Sequence, residues 1–105
     1  MGDPLEKSKP HYGLTEIKVA FEQAAKLNRT FSSRQGADAL DMDDDDVVAV
    51  IQALKVADFE KSMTSHVDHR VWQDVYKPVV RGTMLYVKFT VDASGSLLLI
   101  SFKEA

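Results

Sequence analysis

The chain has 105 residues, 45% apolar and 28% charged, values that set it among single-domain globular proteins and not among disordered chains. It has no cysteine, which excludes a disulfide scaffold, a thiol nucleophile and a zinc finger, and its apolar runs are too short for a membrane span or a signal core. The net charge of −3 hides an asymmetry: residues 1–60 carry seven basic and twelve acidic side chains, and residues 61–105 carry six basic and four acidic. A phosphate-bearing partner is therefore expected to meet the C-terminal half.

Residues 1–13, with Pro4, Pro10, Gly2 and Gly13, read as a flexible arm with no role for His11. Ile17, Phe21 and Ala24, joined by Ala20 and Leu27, form one stripe and predict a core-packing helix over 14–27. Asn28 to Phe31 breaks that period and suits a short edge strand. Ser32 and Gln35 then have capping-box spacing for a short helix through Leu40, which Gly36 weakens. The run Asp43 to Asp46 resembles a metal loop, but the Gly and Glu of a calcium loop are missing. The better reading makes Asp43 an N-cap, with the next three aspartates in the first turn, where the helix dipole favours negative charge. The stripe Val47, Val50, Ile51, Leu54 continues that helix.

After Asp58 the period changes from 3.6 to 2. Strands are predicted over 60–66, 71–77, 83–91 and 97–103, with turn chemistry at Pro78 to Gly82 and at Asp92 to Ser96. Leu85, Val87, Phe89 and Val91 form one face of the third strand; Leu98, Ile100 and Phe102 are the apolar phase of the last. If both sets face the helices, Val91 opposes Leu98, Phe89 opposes Ile100 and Val87 opposes Phe102. The same register sets Tyr86 against Lys103 and Lys88 against Ser101 on the other, wetter face.

That face carries the first chemical candidate. Lys61, Gln73, Tyr86 and Lys103 come from four predicted strands and suit metal-free RNA cleavage, in which a base takes the 2′-hydroxyl proton, cations stabilise the phosphate and an acid protonates the leaving oxygen. Spacing alone equally fits the solvated face of an ordinary antiparallel sheet. His66 and His69, around Asp68, read as a polar loop; as a catalytic pair they are an alternative. Trp72, Tyr76 and Tyr86 interleave with Arg70, Lys77 and Arg81 as a single-stranded nucleic-acid surface requires, with Trp72 better read as a core anchor.

Several stretches together resemble a family. They are Asp58-Phe59-Glu60-Lys61-Ser62-Met63-Thr64, Asp68-His69, Val71-Trp72-Gln73-Asp74-Val75-Tyr76 and Ser101-Phe102-Lys103-Glu104, and in order and spacing they are similar to the MqsR toxins, mRNA interferases of a bacterial type II toxin–antitoxin system. The resemblance runs from about Leu14 to the C-terminus. It implies an α+β, RelE-like fold: an antiparallel sheet with two to three helices, mainly from the N-terminal half, on one face. It implies sequence-specific, ribosome-independent cleavage of mRNA at GC-containing sites, chiefly GCU, without metal or cofactor, in the cytoplasm. It implies as partner a cognate antitoxin with a zinc-binding N-terminal domain and a helix-turn-helix domain. The catalytic residues map onto Lys61, Gln73, Tyr86 and Lys103, and neighbouring active-site positions onto Met63 and Lys77; together with Arg70, Tyr76 and Lys88 of the aromatic and cationic surface, these two are the expected RNA contacts. The chain departs from the pattern in its acidity, in the heavier aspartate run Asp43 to Asp46, in Glu60 where an aromatic is expected, and in Lys77 where an arginine is expected. The alternative is a non-catalytic module that holds RNA or protein on the same basic face.

Overall fold

The computed structural model describes residues 5–105; the first four residues of the predicted arm lie outside that range. The elements in chain order are β1 (Glu6–Lys7), α1 (Leu14–Ala20), α2 (Phe31–Ala39), α3 (Asp44–Gln52), β2 (Phe59–Thr64), β3 (Trp72–Tyr76), β4 (Val79–Val80), β5 (Thr83–Val91) and β6 (Leu97–Glu104). Single 3₁₀ turns occupy Ala24–Lys26 and Val56–Asp58. The strands form one six-stranded antiparallel sheet. Its centre is β5, which pairs with β3, β4 and β6, while β2 and then β1 extend the β3 side. The fold is α+β, as expected, and no helix among the described residues is long and apolar enough to cross a membrane.

The three helices share one face of the sheet. Ile17, Phe21, Ala37, Val47, Val50, Ile51 and Leu54 pack with Leu85, Val87, Phe89, Leu99 and Phe102 in one buried core. The α3 start follows the capping reading: Asp43 accepts from the Asp46 N–H at 2.9 Å, and Asp46 accepts from the Asp43 N–H at 3.0 Å. Asp44 and Asp46 also pair with Arg29 and Arg81.

The first helix stops at Ala20, short of the predicted Leu27. The Gln52 amide donates to the Lys18 and Phe21 carbonyls at 2.7 and 3.1 Å, taking acceptors that further turns of α1 would have used. The second helix is capped by Thr30 and not Ser32, with the Thr30 hydroxyl accepting from the Ser33 N–H. Segment 28–30 bridges to Leu99, as the edge-strand reading required, but in parallel. Gly36 is what lets α2 lie on β6: a Cβ there would stand 1.9 Å from the Phe102 carbonyl oxygen.

The predicted hairpin register holds for Tyr86↔Lys103, Val87↔Phe102 and Lys88↔Ser101, and then slips. Ile100 is an extra residue on β6, so Phe89 opposes Leu99 and Val91 opposes Leu97. The Thr30 hydroxyl donates to the Ile100 carbonyl at 3.3 Å. Leu99 and Phe102, not Leu98 and Ile100, are therefore the buried contributions of β6.

The arm is not free over its described part. β1 pairs with β2, with Glu6 opposite Met63. The His11 and Tyr12 amides donate to the buried Asp74 carboxylate at 2.9 and 2.8 Å, and the Tyr12 hydroxyl donates to the Trp72 carbonyl at 2.7 Å.

Candidate active site

The candidate site lies on the sheet face turned away from the helices. In β5, Tyr86 and Lys88 alternate with the buried Leu85, Val87 and Phe89, so the pleat sends them to the opposite side. Registers carry that side outward: Tyr86 opposes Lys103 and Lys88 opposes Ser101 on β6, Lys88 opposes Val75 on β3, and Val75 opposes Lys61 on β2. Gln73 is two residues from Val75 and opposes Met63. The four expected catalytic residues thus share one face, together with Met63 and Lys88.

Lys61 reaches this face because of a bulge. Phe59 opposes Tyr76 and Lys61 opposes Val75, leaving Glu60 as an extra residue on β2. A regular strand would put Glu60 opposite Val75 and turn Lys61 toward the helices. The extra residue re-aims it, a common use of bulges beside functional sites.

The electrostatics are cationic. The Lys88 and Lys103 ammonium groups lie 5.6 and 5.5 Å from the centre of the Tyr86 ring, within cation–π range. Burial, and then the like charges of Lys103 and Lys61, push the Lys88 pKa below its ordinary value. The Lys61 pKa moves the other way, held up mainly by its hydrogen bond to Glu6 and the attraction of that carboxylate. Lys61 Nζ to Glu6 Oε1 is 2.9 Å. A shallow groove of about 290 Å³ lies there, lined by Glu6, Lys7, Ser8, Glu60 and Lys61. At the β4–β5 end, Val79 and Met84 oppose each other and are exposed, an apolar ledge two residues from Tyr86.

Three expected contributors lie elsewhere. Tyr76 is 1% exposed and packs edge-on against Phe59 and Phe89 in the core, because it shares the phase of Trp72 and Asp74, not that of Gln73. It therefore cannot offer its ring to RNA. Burial pushes its phenol up to about 12. Trp72 is not a core anchor. It is half-buried, with the His11 ring stacked at 5.5 Å and Lys7 Nζ 4.1 Å from its ring centre. Arg70 lies in the loop between β2 and β3, fully forked onto Asp68 through Nε and Nη2 at 3.1 Å each. The same loop holds His66 and His69, beginning at Ser65 about 13 Å along an extended chain from Lys61. Lys77 follows β3 with Nζ 3.8 Å from Glu60.

Two residues had no place in the sequence argument. Glu6 arrives through the β1–β2 register. Asp74, fully buried, also accepts from the Ser62 hydroxyl at 2.6 Å and so ties β2, β3 and the arm together. Its signal was present: an aspartate flanked at i±2 by Trp72 and Tyr76 sits in the apolar phase of its strand, where a polar group needs partners.

The chain is also similar to known proteins. Residues 9–104 match the family described as "Motility quorum-sensing regulator, toxin of MqsA". A relative from Escherichia coli (strain K12), named mRNA interferase toxin MqsR, is 40% identical over 100 residues, covering 95% of this chain and 99% of the relative. The family match takes in the end of the arm, the helices and every strand from β2 to β6, so it covers the cationic strands of the sheet face: the chain belongs to the MqsR toxin family.

Proposed function

We propose that this protein is an endoribonuclease that cleaves mRNA and so stops translation, as the toxin of a type II toxin–antitoxin pair. The observation that carries the reading is the convergence of Lys61, Gln73, Tyr86 and Lys103 from four strands onto one cationic face, in a member of this family. Lys61, Lys88 and Lys103 hold the phosphate and stabilise the charge that grows on it. The Tyr86 hydroxyl protonates the leaving 5′-oxygen. Gln73 positions the nucleotide, and Met63 with the Val79–Met84 ledge supplies apolar contact for bases. The protein's own ammonium groups supply the cationic charge that a metal would otherwise bring. Short GC-containing sites, chiefly GCU, read without the ribosome, are the expected targets. A cognate antitoxin with a zinc-binding N-terminal domain and a helix-turn-helix domain is the expected partner, and the cytoplasm, where mRNA is translated, the expected location.

The test is to map new 5′ ends on a defined RNA after incubation with the purified protein in EDTA. Cleavage at GC-containing sites is expected, with 5′-hydroxyl products, and with Lys61→Ala and Tyr86→Phe slower by about 10²-fold or more at unchanged circular dichroism. RNA retained but uncut would make the chain a binding module. Undiminished cleavage by both variants would refute the residue assignment, and cleavage abolished by EDTA the metal-free mechanism.

A further inference from the structure

Internal cleavage of RNA needs a group that accepts the 2′-hydroxyl proton. Among the described residues on the site face, strands β2, β3, β5 and β6 supply Met63, Gln73, Val75, Tyr86, Ser101 and three lysines, none of them a carboxylate or an imidazole. The Lys61 ammonium donates to Glu6 at 2.9 Å, and a charged ammonium has no electron pair with which to accept a proton. Both loop histidines lie beyond the far end of β2. The Glu60 side chain belongs to the bulge and neighbours Lys77.

Glu6 is different. Its pairing opposite Met63 puts it on the site face, in line with Met63 and Gln73. One carboxylate oxygen stands 2.9 Å from Lys61 Nζ, at the wall of the groove beside that lysine. An ammonium that holds a phosphate oxygen keeps its other hydrogen-bond partner within one hydrogen-bond step of the reacting atoms. The Asp74 grip on the His11 and Tyr12 amides fixes the arm that carries Glu6.

We propose that Glu6 is the general base of the cleavage reaction, a deepening of the endoribonuclease reading on which it rests. A Glu6 oxygen takes the 2′-hydroxyl proton, and the freed 2′-oxygen pair forms the bond to phosphorus. The P–O5′ bond breaks with its electron pair on the 5′-oxygen, which takes the Tyr86 proton. The products are a 2′,3′-cyclic phosphate and a 5′-hydroxyl; solvent returns the proton from Glu6 to the tyrosine. No oxidant, metal or second substrate enters.

A carboxylate that merely plugs Lys61 in the free protein makes the opposite prediction. Removing a plug speeds cleavage or tightens RNA binding; removing a base slows the chemical step. Single-turnover cleavage of a defined RNA at saturating protein separates the two. Glu6→Gln is expected to lower the rate by about 10²- to 10⁴-fold with RNA affinity unchanged or tighter, and added formate is expected to restore part of the activity of Glu6→Ala. An equal or faster rate in Glu6→Gln overturns the proposal, as does a loss in Glu6→Ala that formate does not relieve. The same loss in Glu60→Gln alone moves the base to Glu60 and also overturns it. Wild-type protein runs in parallel: if it is inactive the endoribonuclease reading itself falls, whereas active wild type with active Glu6→Gln removes only the base.

Discussion

Asp74 is the point at which the arm, β2 and β3 can be unfastened together. Replacing it with alanine leaves the Ser62 hydroxyl without an acceptor at a fully buried position, which costs about 1–3 kcal/mol. The His11 and Tyr12 amides regain partners only if the arm lifts into water. That releases the Leu5 and Thr64 hydrogen bonds of 2.7 and 2.8 Å and the Tyr12–Trp72 bond of 2.7 Å, each about 1 kcal/mol net. The expected loss is about 4–6 kcal/mol, a large share of the ~5–15 kcal/mol that holds a domain together. At about 4–8 °C per kcal/mol for a domain of this size, melting falls by more than ~10 °C. Asp74→Asn keeps an oxygen for the two amides, and the Ser62 hydroxyl can turn to accept from the new NH₂. Only charge assistance is lost, about 1–2 kcal/mol. Urea unfolding measures both, and amide exchange at His11 and Tyr12 localises the effect. If Asp74→Ala keeps the unfolding midpoint and the protection of those two amides, the carboxylate does not fasten the arm.

Gly36→Ala should destabilise the fold by about 1–3 kcal/mol or more. The new Cβ meets a backbone carbonyl at 1.9 Å, and this outweighs the ~1 kcal/mol gain in helix propensity; a raised melting temperature would contradict the α2–β6 packing. Lys88→Met should stabilise the protein at neutral pH. The folded-state pKa of Lys88 is depressed, so the charged lysine carries a penalty below that value which lifts as pH rises toward the unfolded-state value. The gain in unfolding free energy should therefore shrink in alkaline buffer, and a gain independent of pH would contradict this reasoning. The same variant should weaken RNA binding and flatten its dependence on log salt by about 0.7; an unchanged slope in binding titrations would mean that Lys88 touches no phosphate.

The order of helices and strands was legible because most of the chain has a clean period. Val47, Val50, Ile51 and Leu54 give α3, and the alternation from Leu85 to Phe89 gives β5. The pairing of Tyr86 with Lys103 was legible for the same reason, since no irregularity falls between them and Val87–Phe102. Beyond Lys88 the prediction failed, because Ile100 is as apolar as its neighbours and nothing marks it as the extra residue. The arm was misread because its anchor is a pair of backbone amides, which no side-chain pattern reveals. Tyr76 was misjudged for lack of strand phase: aromatic and basic residues interleave along the sequence, but the pleat sorts Tyr76 to the core and Tyr86 to the site. Glu6 carries no local signal; only a strand pairing 57 residues away in sequence, with Met63, brings it to Lys61.

The bulges at Glu60 and Ile100 have one further consequence. A regular strand has a single phase, so what one end buries dictates what the other end exposes. With one added residue each, β2 keeps Phe59 on the helix side while offering Lys61 to the site, and β6 keeps both Leu99 and Phe102 in the core while offering Lys103. Core and site can therefore change separately along these strands. Removing Ile100 would leave Leu99, Ser101, Phe102 and Lys103 in plain alternation, each on the face it already occupies.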